Sequence, residues 1–163
     1  MVVGLGANLG DPRQALAGAV RELQARYGEI QVASLYRSAP VGGPPQPPYL
    51  NSAVRLAAAR GEPLAVLDAC LAIEAAFGRT RSGVAHEPRT LDLDLWWFGG
   101  EEMETPRLTL PHPRAHQRRF VLLPWRELMP HVRLRGRSLD TWLDEVRGQP
   151  ICRLEGPQWP WTH

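Results

Sequence analysis

Between Thr90 and Phe98 the chain alternates with period two: Leu91, Leu93 and Leu95 hold one set of positions, Asp92 and Asp94 the other. Successive side chains of a strand point to opposite faces. The pattern therefore predicts a strand with its leucines in a core and two carboxylates on the other face, about 7 Å apart. Asp is disfavoured in strands, and two like charges repel, so the pair gains nothing from the sheet itself. Two readings follow. The acids are either solvated on an exposed face, or they hold a cation such as Mg²⁺, which prefers one or two carboxylates completed by water and substrate phosphates.

The rest of the chain supplies partners for such a strand. Val2 to Leu5 reads as a buried strand, followed by a Gly-rich turn through Gly10. Asp11-Pro12 is a helix start, an N-cap acceptor followed by Pro at the first helical position. Leu16, Ala19, Val20, Leu23 and Tyr27 follow at helical spacing, and Gly28 closes that helix. Ile30 to Arg37 predicts a strand with Ile30, Val32, Ser34 and Tyr36 on one face. Tyr49 to Ala58 predicts another, with Leu50, Val54 and Leu56 opposite Tyr49, Asn51 and Ala53.

A helix is expected over Pro63 to Phe77, with Leu64, Leu67, Leu71 and Phe77 inward, and a short strand over Leu108 to Leu110. Further helices are expected over Ala115 to Leu122, ending near Pro124, and over Ser138 to Val146. Two stretches resist regular structure: the Pro-rich Val41 to Pro48, and Arg79 to Pro88. With no repeat and no linker, residues 1–163 read as a single α+β domain with helices interleaved among strands.

Composition narrows the chemistry. All 19 Lys/Arg positions are Arg, so Schiff-base lysines and the lysine of a Walker A loop are excluded. A bound phosphate must be held by Arg, His, backbone N–H groups or a metal. The formal net charge of +2 speaks against a nucleic-acid binder. Cys70 and Cys152 form no metal cluster, and Cys70 falls in a helical apolar pattern as a core residue. The longest uncharged stretch, Ser38 to Val54, contains five prolines and is no membrane helix. A cytoplasmic protein without a membrane partner is expected.

Arg79, Arg81 and Arg89 flank the carboxylate strand, and guanidinium groups suit bidentate phosphate contacts. A metal pair, a phosphate clamp and a closing loop are the parts needed for phosphoryl transfer. The Gly4-x-Gly6-x-x-x-Gly10 run has Leu9 where a dinucleotide fingerprint needs Gly, so a tight strand-to-helix turn is the better reading. Tyr49 and Asn51 could grip a flat polar heterocycle, with Phe120 as a second aromatic wall. Each could equally be structural. Arg114, Arg118 and Arg119 could extend a phosphate site or coat a helix.

Taken together, the motifs resemble the 6-hydroxymethyl-7,8-dihydropterin pyrophosphokinase family. The matching runs are Gly6-Ala-Asn-Leu-Gly10, Ser34-Leu-Tyr-Arg-Ser-Ala-Pro40, Tyr49-Leu-Asn51, Gly78-Arg79, Pro88-Arg-Thr-Leu-Asp-Leu-Asp94 and Thr105-Pro-Arg-Leu-Thr-Leu-Pro-His112, continuing through Arg118 and Phe120-Val-Leu-Leu-Pro124. They extend over Val2 to Pro130. The resemblance implies a ferredoxin-like α+β fold and transfer of pyrophosphate from ATP to the pterin hydroxymethyl group, leaving AMP. It implies two Mg²⁺ ions held by Asp92 and Asp94, with Arg79 and Arg89 as catalytic arginines.

By the same resemblance Ser38, Ala39, Val41, Tyr49, Asn51 and Phe120 would meet the pterin. Glu74, Arg81, Arg107, Thr109, His112 and Arg118 would line the ATP side. A monomer is expected, acting on small molecules in folate biosynthesis. The chain departs from the family pattern at Ser38-Ala39, where Thr-Pro is expected, at Ala85, His86 and Glu87, and at Pro113. The tail from Gly156 to His163 has no family counterpart. An RNA-binding module on the same sheet is opposed by the charge balance and by acids in mid-surface. A kinase or nucleotidyltransferase with the same metal site would differ only in which phosphate bond breaks.

Overall fold

A computed structural model of the protein describes residues 1–57 and 61–162. Ala58, the expected end of one strand, and His163 of the tail lie outside the described residues. The chain opens with β1 (Val2–Ala7) and α1 (Pro12–Tyr27). α1 begins where Asp11-Pro12 predicts: the Asp11 carboxylate accepts from the Gln14 N–H at 3.1 Å. It ends at Gly28, whose φ of 85° is a conformation that favours glycine.

The segment after α1 corrects the expectation of one uninterrupted strand. It splits into β2 (Ile30–Val32) and β3 (Leu35–Ser38), both antiparallel to β4 (Tyr49–Leu56). Val32 pairs with Val54 but Tyr36 pairs with Asn51, so one extra residue is inserted opposite β4. Such a bulge reverses which face the following side chains occupy. Leu35 thereby joins Ile30 and Val32 in one core, while Ser34 and Tyr36 turn away and donate to the Glu127 carboxylate.

α2 (Pro63–Ala76) buries Val66, Cys70 and Ile73, with Leu64, Leu67 and Phe77 packed beside them. Leu71, expected inward, is exposed, because it lies one residue beyond Cys70 and so a third of a turn off that stripe. β5 (Asp92–Trp97) follows the second irregular stretch, with Leu91, Leu93 and Leu95 buried as the alternation predicts. A small hairpin pairs β6 (Met103–Glu104) with β7 (Thr109–Leu110).

The next helix also departs from expectation. Ala115–Gln117 is only a 3₁₀ turn, and α3 (Arg119–Leu128) then runs through Pro124 instead of ending there. The proline forfeits one backbone hydrogen bond. The apolar stripe of Val121, Leu122, Trp125 and Leu128 continues past it, and burying Trp125 and Leu128 offsets that loss. A second hairpin, β8 (Arg133–Leu134) with β9 (Arg137–Ser138), leads into α4 (Leu139–Glu145), capped by Ser138.

A strand absent from the sequence reading, β10 (Ile151–Glu155), pairs antiparallel with β3. Cys152 and Leu154 alternate with Arg153 and Glu155 over only four residues, and both are exposed, so no buried face marks the segment. Beyond it the tail is anchored on α1. Trp159 is buried with Nε1 donating to Ala33 O at 2.9 Å, and Arg13 clasps both Glu155 oxygens at 2.7 and 2.9 Å.

The main sheet has the order β10-β3-β4-β1-β5, with β2 also on β4. Strands β1, β3, β4 and β5, with α1 and α2 as crossovers, make the β-α-β-β-α-β succession of a ferredoxin-like α+β fold. Helices α1 and α2 cover one face over a core that includes Leu5, Leu16, Val54 and Leu93. On the other face α3 packs on Val2, Ala53 and Trp96. That cover is partial, and the uncovered part of the face carries the chemistry. Among the described residues, no helix is long and apolar enough to cross a membrane, and Cys70 and Cys152 are both free.

Candidate active site

The open face is built from three neighbouring strands. Asp92 and Asp94 of β5 stand opposite Gly6 and Gly4 of β1, and Gly6 in turn stands opposite Asn51 of β4. Because Gly6 carries no side chain, a groove runs across the sheet between Asp92 and Asn51. A cavity of about 650 Å³ fills it, walled by Arg89, Asp92, Asp94 and Arg118 and by Tyr49, Asn51 and Phe120. Ser38, Ala39 and Val41 also line it, so every residue expected at the pterin, together with both acids, faces one space.

The acids are embedded in arginine. Arg79 Nη1 donates to Asp92 Oδ1, and Arg89 Nη1 donates to Asp92 Oδ2 at 2.8 Å. Arg79 is itself held by Leu91 O at 3.1 Å and Glu74 Oε1 at 3.2 Å. The Asp94 carboxyl is pushed up to about 7, first by burial and then by the charge of Asp92, against the opposing pull of Arg89. A proton on one of two neighbouring acids relieves their repulsion, as a cation would.

The donors fit phosphate and the acids fit a hard cation. Arg89, Arg114 and Arg118 line the cavity beside the acids, whereas Arg79 stands behind Asp92, and Nε of both Arg79 and Arg89 is sealed without an acceptor. Among the described residues no cluster of three or more acidic, His or Cys side chains could hold a metal by itself. A cation bound by Asp92 and Asp94 would need further oxygens from water or a phosphate chain, as Mg²⁺ accepts readily.

The residues expected on the ATP side are more dispersed, and none but Arg118 lines the cavity. Glu74 is buried beneath β5, where it accepts from Leu93 N at 2.8 Å, from Arg79 and from Arg81 Nη2 at 2.9 Å. Burial raises its pKa. Its oxygens therefore serve neighbouring donors. Arg81 is over half exposed, and Arg107 pairs with Asp68 on the surface. Thr109 sits in the β6–β7 hairpin. His112 is half-buried, its pKa lowered to about 4 by burial and by Arg118. Arg118 stands 5.7 Å from the Phe120 ring centre, and Arg114 lines the cavity, whereas Arg119 turns away to Arg147 O and Gln149 O.

Two residues outside the sequence reading tie the site together. Asn8, within the Gly-rich turn, accepts from Arg89 N at 2.8 Å through Oδ1 and donates to Gln46 Oε1 at 2.8 Å and Pro47 O at 3.0 Å. Gln46 also donates to His86 O at 2.8 Å and accepts from the Tyr49 hydroxyl at 3.2 Å. The two irregular segments thus meet at the cavity. A Cβ on Gly43 would lie 2.6 Å from His86 O, a measure of how closely they pack. An Asn just past a strand and a Gln inside a Pro-rich loop carry no signal that they meet.

The sequence profile of 7,8-dihydro-6-hydroxymethylpterin-pyrophosphokinase (HPPK) matches residues 2–130. The 2-amino-4-hydroxy-6-hydroxymethyldihydropteridine pyrophosphokinase of Synechocystis sp. is 40% identical over 154 residues, covering 94% of this chain and 73% of its own. The protein of the same name from Pseudomonas aeruginosa is 39% identical over 158 residues, covering 94% and 96%. Among solved structures, a Plasmodium falciparum HPPK-DHPS triple mutant with STZ-DHP superposes with a TM-score of 0.70 at 12% identity. It is alike in fold. It covers 88% of this chain, which spans 42% of that longer one.

Proposed function

This chain belongs to the 7,8-dihydro-6-hydroxymethylpterin-pyrophosphokinase family, and from that premise we propose that the open face of its sheet is the catalytic site. The enzyme transfers pyrophosphate from ATP to the hydroxymethyl group of 6-hydroxymethyl-7,8-dihydropterin in folate biosynthesis, releasing AMP. The observation that carries the site assignment is the Asp92–Asp94 pair facing a cavity that Arg89, Arg114 and Arg118 also line.

The attacking group is a neutral alcohol and the other substrate a highly charged triphosphate. Positioning and charge neutralisation therefore do most of the work. Asp92 and Asp94 would hold two Mg²⁺ ions, which when bound neutralise the phosphates and polarise the reacting phosphorus. Arg79 and Arg89 position Asp92 and offer their remaining donors to the transferred group, where charge builds as AMP leaves. Tyr49, Asn51 and Phe120 hold the pterin, with Ser38, Ala39 and Val41 completing its wall. Ser38 acts through Asn51, whose Nδ2 donates to its Oγ at 2.7 Å. That bond sets the Asn51 amide with its oxygen toward Gly6 and the cavity.

Arg81, Arg107, Thr109, His112 and Arg118 form the ATP side, with Glu74 setting the positions of Arg79 and Arg81. The segments joined by Gln46 exclude water, so the hydroxymethyl group and not water receives the pyrophosphate. Residues 1–163 act as one domain and as a monomer, which gel filtration tests. The reaction is tested by mixing protein, ATP, Mg²⁺ and the reduced pterin and separating the nucleotides. AMP formed only in the presence of pterin is the expected product. ADP in its place would mean single phosphoryl transfer at the same metal site.

A further inference from the structure

Trp96 follows Asp94 by two residues on the same face of β5 and lines the cavity, although only 4% of it is exposed. Gly4 makes room for it. A Cβ at Gly4 would lie 2.0 Å from Trp96 Cζ2, 2.2 Å from Cε2 and 2.6 Å from Nε1, so any side chain there would drive the indole off the wall. From behind, the ring stacks on Trp125, with centroids 6.0 Å apart and planes at 29°. Ala53 and Phe120 belong to the same cluster. One wall of the cavity is thus a fixed aromatic surface.

That wall holds one polar group without a partner. A buried indole N–H ordinarily finds an acceptor. Trp142 Nε1 donates to Leu134 O and Trp159 Nε1 to Ala33 O, both within 2.9 Å. Trp125 Nε1 is sealed in the core with none. Trp96 Nε1 donates to no protein acceptor among the described residues, yet it is not among the sealed donors, and it lies beside Gly4, which also lines the cavity.

We propose that Trp96 is a specificity residue for the pterin: its ring supports the heterocycle beside Phe120, and its Nε1–H donates to a ring acceptor of that heterocycle. The proposal rests on the assignment of this cavity to the pterin. The triphosphate is the poorer candidate, because its oxygens are drawn to Arg89 and Arg118 and not to an uncharged aromatic wall.

The test measures KM for pterin and for ATP separately, by AMP release, in W96F and W125F. W96F keeps a ring but deletes the N–H. W125F loosens the same stack from a position outside the cavity. W96F is expected to raise the pterin KM about 5–10-fold, the size of one neutral hydrogen bond, with the ATP KM within about twofold of wild type. W125F should lower the melting temperature and leave the pterin KM unchanged.

A wild-type pterin KM in W96F, or an equal rise in W125F, overturns the proposal. Should W96F fail to fold, G4A crowds the same indole and should raise the same constant; no rise there overturns it too. Absence of AMP from wild-type protein would overturn the reaction instead. Calorimetric titration of pterin into wild type and W96F then decides the Trp96 proposal by the same ratio.

Discussion

Arg89 holds Asp92 from three residues away, its Nη1 donating to the Asp92 Oδ2 at 2.8 Å. On the other side of the same carboxylate lies Arg79. Both oxygens of Asp92 are therefore engaged by guanidinium groups, and a cation arriving with the triphosphate must share or displace one of them. Arg89→Ala is expected to lower kcat by about 100-fold or more while changing ATP affinity much less, because its charge matters most as the leaving AMP develops charge. Steady-state kinetics and ATP titration check this. A loss confined to ATP affinity would make Arg89 a binding residue only.

Asp94→Ala should abolish AMP formation, by about 1000-fold or more, while leaving the circular dichroism spectrum unchanged. Asp94 lies on the open face, and its burial opposes its charge. Removing it therefore relieves repulsion with Asp92, and the metal-free variant should melt no lower than wild type. Full activity in that variant would refute the metal assignment.

Glu74 is the opposite case. Its side chain and that of Arg79 are 4% and 5% exposed, and Glu74 also caps the backbone N–H of Leu93. Glu74→Ala strips Arg79 of one of its two carboxylate partners, Asp92 remaining, leaves the Leu93 N–H unpaired, and should cost about 1–3 kcal/mol in urea unfolding. It should also lower kcat, because Arg79 loses one of the three acceptors that fix it.

His112 supplies a pH dependence. Its folded-state value, about 4, lies below the 6.5 of the free side chain, so the unfolded chain takes up the proton first. The stabilising difference is fully present above about pH 6.5 and is lost as pH falls toward 4, amounting to about 1–3 kcal/mol for this half-buried group. Unfolding free energies measured across that window should slope accordingly in wild type. The slope should flatten in His112→Asn.

The tail is a stability element. Trp159→Ala removes a fully buried indole and its bond to Ala33 and should cost about 3–5 kcal/mol. At a temperature where the variant stays folded, its kcat should match wild type, because nothing in the tail lines the cavity. A lower kcat with unchanged stability would place the tail in catalysis.

How much of this was legible beforehand depends on range. The facing of Leu93 against Asp94, the start of α1 at Asp11-Pro12 and the inward set of β4 are written in spacings of two to four residues, and each formed as its spacing demands. Leu71 and Pro124 depart from expectation for a related reason. A periodicity locates a stripe only to within a neighbouring residue, and a breaker acts only if packing does not outweigh it.

The sequence by itself determined the amphipathic strand with its two acids, the helices that cover its apolar side and the composition that leaves Arg as the phosphate binder. Tertiary structure alone decided the rest. The bulge between β2 and β3 exists only against β4, and β10 is a strand only because β3 offers it an edge. Asn8 meets Gln46 and Arg89, and Trp96 meets Gly4, across separations that no local pattern encodes. A side chain's face follows from its backbone's period, whereas its partner follows from where the whole chain brings another segment.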